Sequence, residues 1–203
     1  MRTIRSFIAI SLPAAVQEVL GAVSLELAPR LPERAVAWLR PESMHLTLRF
    51  LGDTLLDRLD TLFALLDAVA ANHQPFTLQL NQIGAFPNER RPRVIWVGLD
   101  GDGAAAAALQ RELDAALVRL GWQPEGKPFS PHLTLGRVKR DQDQIRLPWG
   151  KSVVPAPFDV GEIHLIESQL RPQGSLYTVR HTSTLRAGAG GAANAPGSAA
   201  GHL

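Results

Sequence analysis

His45-Leu46-Thr47-Leu48 and His132-Leu133-Thr134-Leu135 spell the same four residues, 87 positions apart. Each copy follows a loop and opens a run with a period of two. In a strand, successive side chains point to opposite faces. His45 and Thr47 therefore share a face, with Arg49 next along it, while Leu46, Leu48 and Phe50 share the other. In the second copy His132 and Thr134 oppose Leu133 and Leu135. Each strand buries leucines and offers an imidazole and a hydroxyl. A half-domain duplicated about a pseudo-two-fold axis would bring the two offers together.

Working outward, periods of two and of 3.6 alternate along the chain. Strands are expected over 3–12, 36–39, 45–51, 76–83, 94–99, 132–138, 160–167 and 176–182. Helices are expected over 13–28, with Ser11 as cap, over 55–71 after Asp53 or Thr54, and over 104–120, ended by Gly121. The order is mixed and points to an α+β fold. It is read as bilobal and duplicated, two antiparallel sheets flanked by helices around a central cleft.

The 203 residues suit one domain of two lobes, assigned to 1–186. Twelve of the last 17 residues, 187–203, are alanine or glycine, which predicts a disordered tail. The chain has no cysteine, which removes disulfides, thiolate metal sites and cysteine nucleophiles and fits a cytoplasmic setting. No apolar run is long enough to span a membrane, and residues 1–12 lack the features of a secretory signal. Net charge is only +2, although 18 of the 21 basic residues are arginine. A monomer is the default expectation.

Two imidazoles on one cleft have a chemical meaning. One can take a proton from an attacking oxygen while the other gives one to a departing oxygen. Thr47 and Thr134 can donate to phosphate oxygens, and a nearby arginine can stabilise charge on phosphorus. Such a scheme needs no metal and no cofactor. A two-histidine zinc site is the weaker alternative, since no third ligand recurs at ligand spacing. His73, His164 and His181 lack this setting and are read as structural. Arg90, Arg91 and Arg93 with Phe86 form a basic loop able to grip an RNA backbone, or simply to face solvent. Tyr177 fits either the cleft or the core. Trp38, Trp96, Trp122 and Trp149 are assigned to the core or the lobe interface.

The segments H-L-T-L-R-F-L-G-D (45–53) and F-S-P-H-L-T-L-G-R (129–137) resemble the two signatures of the 2H phosphoesterase superfamily. Within it the chain most resembles the RNA 2′,3′-cyclic phosphodiesterases, also called 2′-5′ RNA ligases. The opening R-S-F-I-A-I-S-L-P (5–13) and the late stretch 167–177 fit as well. The resemblance implies hydrolysis of RNA 2′,3′-cyclic phosphate ends, or of small cyclic nucleotides, to 2′-phosphomonoesters. It implies His45 as proton donor, His132 as proton acceptor, and Thr47, Thr134 and Arg137 on the phosphate. Strict alternation leaves Arg137 off the His132 face, so this last role requires a twist or bulge. From the residues alone the acid and base labels are interchangeable. Ligation would be the reversal of cyclic-phosphate chemistry, because no phosphate-binding glycine loop and no candidate lysine for adenylation are present. The alternatives are another 2H phosphodiesterase, acting on a 2′-5′ oligonucleotide or an ADP-ribose cyclic phosphate, and a non-catalytic RNA-end-binding module.

Overall fold

The repeated leucines organise the packing. Leu46, Leu48, Leu133 and Leu135 are all buried in one large cluster that also takes Leu20 and Leu27, Leu62 and Leu66, and Leu109, Leu113 and Leu117. These come from three helices: α1 (Ala14–Leu27), α2 (Leu59–Ala70) and α3 (Gly103–Arg119). Spacings of three and four, as in Leu59, Leu62, Leu66 and Val69, put one apolar stripe of each helix against the sheet. The computed structural model describes residues 2–139, 145–171 and 174–186. The alanine- and glycine-rich tail at 187–203 lies outside these, as do Pro172 and Gln173 of the late stretch.

The strands are β1 (Thr3–Ser11), β2 (Val36–Trp38), β3 (His45–Leu55), β4 (Phe76–Phe86), β5 (Val94–Gly101), β6 (His132–Val138), β7 (Pro157–Val160), β8 (Glu162–Arg171) and β9 (Gly174–Thr184). Their order is β7-β4-β5-β6-β3-β1-β8-β9, with β2 alongside the end of β6. All pairings are antiparallel. The architecture is the expected α+β arrangement. Its two halves, β7-β4-β5-β6 with β2 and β3-β1-β8-β9, meet where β3 pairs with β6, through Leu46 and Leu133. The halves therefore form one continuous sheet.

The duplication extends beyond the motif. Ala9, Ile10 and Ser11 of β1 pair with Thr47, Leu46 and His45. Trp96, Val97 and Gly98 of β5 pair with Thr134, Leu133 and His132. Every residue of the second set lies 87 positions after its counterpart. Both units run strand, helix, motif strand, β1-α1-β3 and β5-α3-β6, with the short β2 inserted between α1 and β3 in the first.

Three local expectations are corrected. Ser11 is not a cap. It stays in β1 opposite His45, and the Pro13 carbonyl accepts the first helical N–H groups, from Val16 and Gln17. Proline is pre-organised for a helix start and has no N–H to satisfy. Asp53 and Thr54 do not cap α2 either. They prolong β3, paired with Arg5 and Ile4, and Thr54 is buried against the Ser6 hydroxyl at 2.8 Å. The strand expected over 160–167 is divided at Gly161: Val160 ends the short β7, which starts at Pro157 and pairs with β4, and β8 begins at Glu162.

Candidate active site

Because β3 and β6 run antiparallel about the Leu46–Leu133 pair, one step along each strand sets His45 across from Thr134 and Thr47 across from His132. The four side chains form a square on the face opposite the leucines, with histidines on one diagonal and threonines on the other. Strand spacing and rise put the histidine Cα atoms about 8 Å apart. All four residues are half-buried, between the buried leucines of each strand.

The strict period of two ends at the fourth motif residue in both copies. The β1–β3 register shifts between Ile8 and Ala9, leaving Leu48 as the extra residue. The β5–β6 register shifts between Ile95 and Trp96, leaving Leu135 extra. A bulge of one residue swaps the faces beyond it. Arg137 thereby returns to the histidine face, and its charge acts on His132. The bulge is the feature that alternation alone could not supply.

In the first copy the same swap corrects the placement of Arg49 and Phe50. Arg49 turns to the packed face and is only 8% exposed. There it pairs with Asp114 at 2.8 Å and Glu125 at 3.0 Å and donates to the Gln123 carbonyl. Phe50 emerges on the histidine face, 57% exposed. The equivalent of Arg49 is Gly136. A Cβ there would come within 2.6 Å of Val36 Cγ1, so β2 can lie close only beside glycine.

Each imidazole is anchored alike. His45 Nδ1 lies 2.9 Å from the Ser43 carbonyl, and His132 Nδ1 lies 2.7 Å from the Ser130 carbonyl. A carbonyl only accepts, so Nδ1 carries the proton and donates in both. Nε2 is left as the working nitrogen, a lone pair when neutral and a donor when charged. Burial pushes the His45 pKa below the ordinary 6.5, opposed by the Ser43 bond. Burial likewise lowers His132, opposed by the Ser130 bond, and the Arg137 cation lowers it further.

Aromatic rings enclose both. His45 stacks on Phe7 at 4.7 Å between centroids and meets Tyr177 edge-on at 5.3 Å. Tyr177 thus lines the site. His132 meets the edge of Phe86 at 4.8 Å and lies 6.3 Å from Trp96. Trp96, expected in the core or at the lobe interface, stands in the wall of the site beside His132. The 87-residue offset held signals for the others: it pairs Phe50 with Arg137 and Ala9 with Trp96.

Three further histidines among the described residues stand apart from the motif strands, each with a partner of its own. His73 bonds Glu112, His164 bonds Thr182, and His181 bonds Asp67 and stacks on Phe63. Trp122 packs under Arg58 and donates to the Leu51 carbonyl. In the basic loop, Asn88 Oδ1 accepts the backbone N–H groups of Arg90 and Arg91. Among the described residues no three histidine, cysteine, aspartate or glutamate side chains gather to hold a metal ion. No described helix is long and apolar enough to cross a membrane.

The sequence matches the model of the 2′-5′ RNA ligase superfamily over residues 23–171, more than half of the chain. It is 31% identical to the RNA 2′,3′-cyclic phosphodiesterase of Methanothermobacter thermautotrophicus, an alignment covering 86% of this chain and 95% of that one. It is 32% identical to the protein of the same name from Thermus thermophilus, covering 90% of each. A crystal structure of a protein from Thermus thermophilus superposes with a TM-score of 0.78 at 31% identity, covering 91% of this chain and 99% of that one. E. coli LigT complexed with 3′-AMP superposes at 0.74 and 26% identity, with the same coverage. With the paired motif strands and the similarity running along the same length of chain, this protein belongs to the 2′-5′ RNA ligase superfamily.

Proposed function

We propose that the chain hydrolyses 2′,3′-cyclic phosphate ends of RNA to 2′-phosphomonoesters, with the two motif histidines as paired acid and base. The observation that carries this reading is the pair of Nδ1-anchored imidazoles on neighbouring strands of one face. The names of the relatives support the substrate class.

The cyclic phosphate sits over the square, its non-bridging oxygens accepting from the Thr47 and Thr134 hydroxyls. His132 Nε2 takes a proton from water as the water oxygen bonds to phosphorus. The P–O3′ bond breaks on the opposite side, and protonated His45 Nε2 delivers a proton to O3′. Water is consumed, the 2′-phosphate and a 3′-hydroxyl are released, and proton exchange with solvent resets both rings. Arg137 stabilises negative charge on phosphorus. Its cation also disfavours protonation of His132, which supports His132 as the acceptor. Binding of the anionic diester favours the charged form of His45.

The test is cleavage of an oligoribonucleotide ending in a 2′,3′-cyclic phosphate, in excess EDTA, with His132→Ala alongside. Turnover by the natural chain and none by the variant is expected. Turnover abolished by EDTA, or retained by His132→Ala, overturns the mechanism.

A further inference from the structure

The two histidines are anchored alike but delivered differently. Each bonds through Nδ1 to a serine carbonyl two residues earlier, Ser43 or Ser130. In the first copy the chain before the strand holds itself. The Ser43 N–H donates to the Arg40 carbonyl, the Met44 N–H donates to the Pro41 carbonyl, and the Met44 side chain is buried. In the second copy residues 123–131 make no backbone–backbone hydrogen bond among the described residues. Pro124, Pro128 and Pro131 have no N–H with which to make one. Without internal bonds, this loop takes its position from what grips it from outside.

Trp122 and Phe129 give it partly buried packing against the core. The polar grip is Arg49. Its Nη2 donates to the Gln123 carbonyl, its Nη1 to the Glu125 carboxylate at 3.0 Å and to the Phe50 carbonyl of its own strand at 3.1 Å. Its Nε donates to Asp114 of α3 at 2.8 Å, and Asp114 in turn accepts the Glu125 N–H at 3.3 Å. The planar guanidinium thus sets loop, helix and strand in one fixed arrangement. Arg49 stands on the strand of His45, yet its contacts hold the loop of His132. Nothing mirrors this link, because the position 87 residues on is Gly136.

The grip has a chemical consequence. His132 Nε2 accepts a proton only while Nδ1 keeps its own, and the Ser130 carbonyl is what keeps it there. If the loop moves, that carbonyl moves with it. The ring can then turn, or take the other neutral tautomer, whose Nε2 already bears a proton and is no base. We infer that Arg49 is a positioning residue for His132: from the strand of the proposed acid it holds the loop that fixes the orientation and tautomer of the proposed base. The inference rests on the two-histidine reading above.

Side-chain ¹⁵N NMR, at a pH above the titration of both rings, reads the tautomers without substrate. In the natural chain both rings should carry the proton on Nδ1. In Arg49→Met, His132 should shift toward the Nε2–H tautomer, while His45, on the substituted strand itself, should keep Nδ1–H. On an oligoribonucleotide ending in a 2′,3′-cyclic phosphate, the same variant should lose about ten- to a hundred-fold in kcat, with KM changed less than about three-fold. Arg49→Lys keeps the charge without the planar fork and should fall between the two. Asp67→Asn is the stability control. It weakens the ties of α2 to His181 and Ser183 of β9 and should leave kcat and both tautomers unchanged. If Arg49→Met fails to fold, Glu125→Ala loosens the loop end of the same network and should move His132 in the same direction, by less. Nδ1–H kept at His132 in every folded Arg49 and Glu125 variant would overturn the inference. So would equal changes at both rings, or a loss in Asp67→Asn that matches Arg49→Met, since either would reduce Arg49 to general stability. If the natural chain hydrolyses no cyclic phosphate, the proposed reaction fails on its own, and the tautomers still decide whether Arg49 holds His132.

Discussion

At the scale of single residues, the two histidines are matched in anchoring and differ in electrostatics. Burial lowers both pKa values, and Arg137 presses further on His132. In the free protein, the pH window with one ring charged and the other neutral lies below 6.5. The pH profile of kcat/KM should therefore be bell-shaped, with its maximum on the acid side of 6.5. The bound anion favours imidazolium, so the kcat profile should peak at higher pH. A flat profile from pH 5 to 8 would exclude the paired mechanism. His45→Ala and His132→Ala should each cost on the order of 10²–10⁴ in kcat. The double variant should lose far less than the product, because the pair acts as one unit. Arg137→Gln removes a positive neighbour, so His132 should titrate at higher pH by NMR, and the limb of the kcat/KM profile set by His132 should move up with it. The same variant should lose about 10²-fold in kcat.

At the scale of elements, much was legible because period two is a strong signal. It set His45 with Thr47, and His132 with Thr134, opposite buried leucines, and the structure has them so. The roles of Arg49, Phe50 and Arg137 were not legible from alternation. A bulge is one unpaired residue against a partner strand, and nothing in Leu48 or Leu135 themselves announces it. Element ends were missed for a related reason. Asp53 and Thr54 are good caps by type, but the pairing offered by β1 wins because it also buries Thr54 on Ser6. The ion pairs of the buried Arg49 with the partly exposed Asp114 and the exposed Glu125 fasten the bulged strand to α3 and the loop beyond it. Arg49→Met removes these charge-assisted hydrogen bonds and the one to the Gln123 carbonyl, and should cost about 2 kcal/mol in urea unfolding. A loss under 1 kcal/mol would mean that these pairs add little.

Across the whole molecule, the two halves of the sheet share one joint. Leu46 and Leu133 are fully buried at it, and each also belongs to the common core. Leu133→Ala should lower stability by about 2–5 kcal/mol. Because the two leucines touch the same space, the Leu46→Ala, Leu133→Ala pair should depart from additivity by 0.5 kcal/mol or more, on the order seen for contacting residues. Additive losses would mean that each leucine serves its own half alone. The bilobal plan was readable from the repeated motif. The merger of both halves into one sheet was not, since it depends on the contact at this pair.

Trp96 gives the molecule a built-in optical probe. Of the four tryptophans, it is the one with a ring contact to a histidine among the described residues, at 6.3 Å from His132. Protonated imidazole quenches indole emission, whereas neutral imidazole quenches it weakly. Intrinsic fluorescence should therefore brighten as pH rises through the His132 transition below 6.5. The inflection should vanish in Trp96→Phe and move to higher pH in Arg137→Gln. The charge state of the proposed base can thus be followed by light, on the unlabelled protein, before any substrate is added.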